Sequence, residues 1–172
     1  MAMGDALTGL GNRRQLDATL DQVLADAGRS NRPVSCLMVD VDHFKRFNDD
    51  FGHDAGDVVL RAVGAALSAA VRDKELAFRY GGEEFMVLMP GCDVDQASAR
   101  AQYIRERIAE LDLIHQGERL RKVTISVGVA TAPIHCPADR LVQTADAALL
   151  RAKANGRDRA EVAMARADHQ AA

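Results

Sequence analysis

Residues Val34-Ser35-Cys36-Leu37-Met38-Val39 form a short apolar run that stops abruptly at Asp40-Val41-Asp42. Such a run reads as a strand covered on both faces, and so as the middle of a sheet. Side chains two residues apart share a strand face, so Asp40 and Asp42 project together. On these residues alone Asp42 serves equally well as the cap of a following helix. Asp40, set between Val39 and Val41, is harder to place in a structural role, because an unpaired buried carboxylate is costly.

The flanking sequence alternates between helical and strand periods. Leu16, Leu20 and Val23 predict a helix over 12–27, and Gly28 to Pro33 a turn-rich break. His43 to Asp50 reads as a short helix or turn, and Val58, Ala62, Val63, Ala66 and Ala70 as one helical face. Leu76–Tyr80 and Phe85–Met89 flank Gly81-Gly82 as a β-hairpin whose glycines permit positive φ. A long helix follows from Val94 to Leu111, then a strand over Val123–Val129. Leu141, Ala145, Ala148 and Leu149 mark a last helix capped by Gly156, with an edge strand over 158–164. The order βα-ββ-αβ predicts an α/β (α+β), ferredoxin-like palm fold, with a central antiparallel-mixed sheet surrounded by helices. One domain over 5–164 is expected, with 1–4 as a linker remnant and 165–172 as a flexible tail, frayed from Arg166 to Ala172.

Composition narrows the function classes. Acidic residues outnumber basic ones 25 to 22, a net charge of −3, which argues against a generic nucleic-acid binder. No apolar run approaches the ~20 residues a membrane helix needs. Met1-Ala2-Met3-Gly4 lacks the basic and apolar regions of a signal peptide. The three cysteines, Cys36, Cys92 and Cys136, show no zinc spacing, Cys36 reads as a buried thiol, and a reducing cytosol is the expected compartment.

The chemistry centres on Asp40 and on Gly81-Gly82-Glu83-Glu84-Phe85. Adjacent glutamates in a regular strand point to opposite faces, so both serve one site only if the turn takes Glu83 out of register. Two carboxylates ~4 Å apart repel by on the order of 4 kcal/mol at an effective dielectric near 20. A hard divalent cation with oxygen ligands relieves that repulsion.

The pentad resembles the GGEEF variant of the signature of GGDEF domains, the diguanylate cyclase family. Asp5-Ala6-Leu7-Thr8-Gly9-Leu10-Gly11-Asn12-Arg13-Arg14 is similar to the family's opening block. Asp40-Val41-Asp42-His43-Phe44-Lys45 with Asn48, then Phe51-Gly52-His53 through Gly56-Asp57, resembles its second. Ile125 to Ala130, Ala145 to Leu149, Lys153 and Gly156-Arg157 resemble the closing blocks, so the likeness spans about 5–160.

The resemblance implies condensation of two GTP into cyclic di-GMP, with release of two pyrophosphates. It implies Mg²⁺ or Mn²⁺ on Asp40, the Val41 carbonyl, Glu83 and Glu84, with Glu83 also activating the attacking ribose 3′-hydroxyl. Asn48 and Asp57 would read the guanine edge. Lys153, Arg157 and the backbone N–H groups around Phe44 and Lys45 would hold phosphates, and Gly81 and Gly82 would let the nucleotide pass. It also implies an antiparallel homodimer, each domain bringing one GTP, and an upstream sensory or regulatory domain. The product-inhibition window reads Arg72-Asp73-Lys74-Glu75, with Glu75 where the family has aspartate, so product binding there is expected to be weak or absent. Leu150 and Asp158 also depart from the family's usual tyrosine and asparagine, at positions expected to stand outside the chemistry. The alternative reading is a non-catalytic module that binds GTP or cyclic di-GMP; the complete acidic set favours the cyclase. The acidic metal motifs of a phosphodiesterase are absent from the sequence.

Overall fold

The computed structural model describes residues 4–165; the tail from Arg166 to Ala172 lies outside them. Asn12 opens α1 (Arg13–Ser30) with a reciprocal capping box, its side chain accepting from the Gln15 N–H while Gln15 accepts from the Asn12 N–H. The helix runs through Gly28 rather than breaking there. Glycine is tolerated in an exposed last turn, and Asn31 ends the helix in the left-handed conformation.

All eight residues of β1 (Val34–Val41) are buried. Two helices, α2 (Phe44–Phe51) and α3 (His53–Ala70), follow with only Gly52 between them. β2 (Leu76–Arg79) and β3 (Glu84–Pro90) form the hairpin, and α4 (Val94–Ala109) returns along the sheet. A small ribbon of β4 (Ile114–His115) and β5 (Glu118–Arg119) turns on Gln116 and Gly117, both at positive φ. Periodicity could not reveal it, because two residues carry no period. β6 (Ile125–Ala132) starts two residues later than its apolar alternation, a short 3₁₀ turn leads into α5 (Leu141–Ala154), and β7 (Arg159–Val162) ends the fold.

The five-stranded sheet has the order β2-β3-β1-β6-β7, antiparallel throughout except for the parallel β6–β7 pair. Its first four strands are in ferredoxin-like order. Alternation along β1 divides the core. Leu37, Val39 and Val41 pack with α3 and α4, whereas Val34, Cys36 and Met38 pack with α1 and α5. Burial pushes the Cys36 thiol up to about 12, in keeping with an unreactive core residue.

α5 lies unusually close on β6. A Cβ at Gly128 would stand 2.1 Å from the Ala145 carbonyl oxygen and 2.3 Å from the Leu149 nitrogen. Only glycine permits this approach, which sets the height at which the end of α5, with Lys153, reaches the end of β1.

Candidate active site

The Cα register places Asp40 opposite Glu84 on one side and Ser126 on the other. Directly opposed residues share a face, so Asp40 and Glu84 are cross-strand neighbours on the side covered by α5. Burial raises the pKa of Asp40 above the usual carboxylate range, and Asp42 adds to this against the pull of Lys153 and Arg157. Glu84 is raised as well, by burial and then by the Asp40 charge, with Lys153 opposing and Asp146 and Glu83 adding. Two neighbouring acids held up in this way form a site that favours a cation.

The hairpin end resolves the problem of register. Gly81, Gly82 and Glu83 lie in a bend, and regular pairing begins at Glu84. Glu83 is therefore free of strand alternation, while its carbonyl accepts the Val41 N–H at 3.1 Å. The expected hairpin forms, although Gly81 and Gly82 do not use the positive φ that glycine permits. The loop runs through four residues, closed by the Tyr80 and Gly81 N–H groups on the Glu84 carbonyl, so it needs no left-handed position. Space beside Gly82 is open. Among the described residues no three acidic, histidine or cysteine side chains converge as a metal-binding group. Lys153 Nζ instead lies 2.6 Å from Asp40 Oδ2. The structure thus brings Asp40, Glu84 and Lys153 together directly, and Glu83 through its backbone and its charge.

The remaining expected residues sit on α2, α3 and the turn after α5. Phe44 and Lys45 occupy the first turn of α2, whose cap residue His43 makes no side-chain cap hydrogen bond. N–H groups of that turn are open to an anion. Asn48 Oδ1 is the buried side-chain oxygen that lacks a hydrogen-bond partner among the described residues. Gly56 makes room for it, since a Cβ there would stand 1.9 Å from Asn48 Oδ1, and Asp57 follows on the same helix. Gly56→Ala is expected to displace Asn48 Oδ1 and, on the guanine-reading role that the sequence resemblance implies, to weaken nucleotide binding roughly tenfold, the effect of one lost buried hydrogen bond. Equilibrium titration checks this: Asn48→Ala should be equally defective and the double variant no worse, whereas additive losses would refute the link.

Three features were not legible from spacing. Asp42 does not cap α2; its carboxylate accepts from Thr124, Ser126 and the Asp158 amide. Asp158 thus ties its backbone to Asp42, while its side chain pairs with Arg105. Arg79 donates to the Gly81 and Gly82 carbonyls and to Asp5, tying the chain's start to the glycine bend across 74 positions. Glu75 is not a solvated charge. It is buried against Arg100 (Oε1 to Nη1, 2.5 Å), beside an exposed Arg72 and a cavity of about 500 Å³ lined by Arg72, Gln96, Arg100 and Tyr103.

Fold and site together define a palm-type domain with an acidic centre at the end of its middle strand. A family model described as diguanylate cyclase, GGDEF domain, matches residues 2–159, and the chain belongs to that family. It is 42% identical over 160 residues to the response regulator PleD of Caulobacter vibrioides, covering 92% of this chain and 35% of that protein. It is 40% identical over 162 residues to the diguanylate cyclase DgcP of Pseudomonas aeruginosa, covering 94% and 24%. The chain thus spans about a third or less of these relatives. Among solved structures it resembles the GGDEF domain of DgcB from Caulobacter crescentus in complex with c-di-GMP (TM-score 0.89, 33% identity, 94% and 96% covered). It also resembles the active GGEEF domain of a diguanylate cyclase from Vibrio cholerae (TM-score 0.80, 36% identity, 91% and 99% covered).

Proposed function

We propose that this domain is a diguanylate cyclase that binds one GTP and, facing a second copy, joins two GTP into cyclic di-GMP. The observation that carries the reading is the Asp40–Glu84 pair, a buried and a half-buried acid that are cross-strand neighbours with raised pKa values at the sheet end that also meets the glycine bend. Asn48 and Asp57 read the guanine edge, and the unpartnered Asn48 oxygen is a ready acceptor for it. The first turn of α2, Lys153 and Arg157 hold the phosphates. Gly81 and Gly82 leave the nucleotide room beside the bend. Glu83 takes the proton of the ribose 3′-hydroxyl, whose oxygen attacks the α-phosphorus of the facing GTP. The bond from that phosphorus to pyrophosphate breaks, and repetition in the opposite sense closes the ring. In-line placement of the two nucleotides supplies much of the rate.

Asp40, the Val41 carbonyl, Glu83 and Glu84 would hold Mg²⁺ or Mn²⁺, and the oxygen donor set and crowded negative charge fit such an ion. When bound, it supplies charge neutralisation at the phosphates. Lys153 must then leave Asp40, and its release frees it for a phosphate. A regulatory domain elsewhere in the natural protein would bring two copies together.

The direct test is a forced dimer incubated with GTP and magnesium, with the product identified. Cyclic di-GMP and pyrophosphate are expected in a 1:2 ratio, while guanine-nucleotide binding without product would support the non-catalytic alternative. In the same assay added cyclic di-GMP is expected to inhibit weakly or not at all. Both Glu75 oxygens are already engaged, by Arg100, the Arg72 amide and Cys92. Tight inhibition abolished by Arg72→Ala would reverse that expectation.

A second measurement isolates the cation. Asp40 and Glu84 titrate above the usual carboxylate range, so the ion-free fold gains stability as pH falls through their raised values and loses it as pH rises. Magnesium at ten times its Kd should raise Tm by about 3–6 °C at neutral pH. The gain should fade in acid, where protons compete, and be absent in Asp40→Asn.

A further inference from the structure

Asp42 has no part in the chemistry above, yet its carboxylate is fully engaged. It is 6% exposed, with Oδ1 accepting from Ser126 Oγ at 2.6 Å and Oδ2 from Thr124 Oγ1 at 2.7 Å and the Asp158 N–H at 2.9 Å. Its own N–H donates to the Thr124 carbonyl at 2.9 Å. These donors come from the leading end of β6 and from the turn that joins α5 to β7. With both oxygens so occupied, Asp42 differs from Asp40, whose Oδ2 accepts from the Lys153 ammonium.

The turn needs such a tie. Gly156, Arg157 and Asp158 lie at φ values of 119°, 62° and 47°, three consecutive left-handed positions of which two carry side chains. Residues with a Cβ rarely adopt this conformation, although aspartate tolerates it better than most. The Arg157 N–H closes back on the Ala152 carbonyl at 2.9 Å, and the Asp42–Asp158 bond anchors the next peptide to the sheet. Arg157 is thereby suspended between an anchored amide and the end of α5, and its charge acts on Asp40.

We propose that Asp42 is a positioning residue for the triphosphate: through the Asp158 amide it holds the left-handed turn that aims Arg157 at the nucleotide's phosphates. The inference rests on the guanine-nucleotide reading of the site. Asparagine can replace Asp42 with little change. Its oxygen keeps the Thr124 and Asp158 donors, and its NH₂ donates to Ser126 Oγ, a hydroxyl able to accept. Serine is too short to span to the Asp158 amide.

The test is calorimetric titration with an unreactive GTP analogue lacking the 3′-hydroxyl, and with GMP, which lacks the terminal phosphates. Asp42→Ser should weaken the triphosphate about tenfold, leave GMP within about twofold, and cause no further loss in an Arg157→Ala background. Asp42→Asn should stay within about twofold of the wild type for both ligands. Equal loss of GMP and triphosphate would reduce Asp42 to a fold-keeping residue and sink the proposal, as would full additivity with Arg157→Ala. A wild-type chain that binds neither ligand would remove the guanine reading itself and this inference with it, a pattern no Asp42 variant can mimic. If the serine variant does not fold, amide hydrogen exchange on the wild type decides: bound triphosphate must protect the Asp158 amide more than GMP does, and equal protection counts against the assignment.

Discussion

Glu83→Ala is expected to lower the turnover of a forced dimer by about 10²–10⁴-fold, the usual contribution of a positioned general base. The residue's place explains the size of the effect. Glu83 sits in the bend before β3, outside strand alternation, with its carbonyl pinned by the Val41 N–H. That pin sets the side chain's origin beside the acid pair of Asp40 and Glu84. Nucleotide binding should survive, because the groups proposed to read the base lie on α2 and α3 and those proposed to hold phosphates lie on α2 and after α5. Steady-state rates with identified product, set beside titration of an unreactive GTP analogue, check both halves. Wild-type-like turnover would remove Glu83 from the mechanism, and parallel loss of rate and binding would make it a structural residue.

The second large effect is on stability. Arg100→Ala is expected to destabilise the fold by about 3–5 kcal/mol, because it strands a buried carboxylate. Arg100 and Glu75 side chains are 9% and 6% exposed, and Arg100 also donates to the Ala70 carbonyl at 2.9 Å. The pair therefore joins the end of α3, the β2 approach and α4. Burial alone would raise the Glu75 pKa, but hydrogen bonds from Arg100, the Arg72 amide and Cys92, with the Arg100 charge, hold it below its ordinary value. The sign follows: the stabilisation is present above the ordinary glutamate range and is lost as pH falls through the depressed value. Urea melts of wild type and Arg100→Ala should differ most near neutrality and converge in acid. A gap that stays constant with pH would mean that packing, not the ion pair, supplies the loss.

These two residues also show where reading a sequence succeeds. Glu83 was singled out by its neighbours, two glycines and a second acid, and the bend then explained how it escapes strand alternation. Glu75 follows Arg72, Asp73 and Lys74, and nothing in that local run marks it as buried. Its partner lies 25 positions away on α4, and no periodicity points there. Asp158 stands outside the chemistry, and what its side chain could not reveal is that its backbone N–H ties the turn to Asp42.

Hydrophobic periods of two and of 3.6 are properties of neighbouring residues, so the longer helices and strands, the covered middle strand and the acids that end it were determined by the chain alone. Which strand lies beside β1, and in what register, depends on contacts between distant segments. That pairing is what sets Glu84 opposite Asp40, brings Lys153 to Asp40 from 113 positions away, and turns Asp42 from a helix cap into an anchor. Tertiary structure decided these because a carboxylate's role is fixed by the donors that reach it, and here those donors come from the leading end of β6, α5 and the turn after it, segments 82 to 116 positions away.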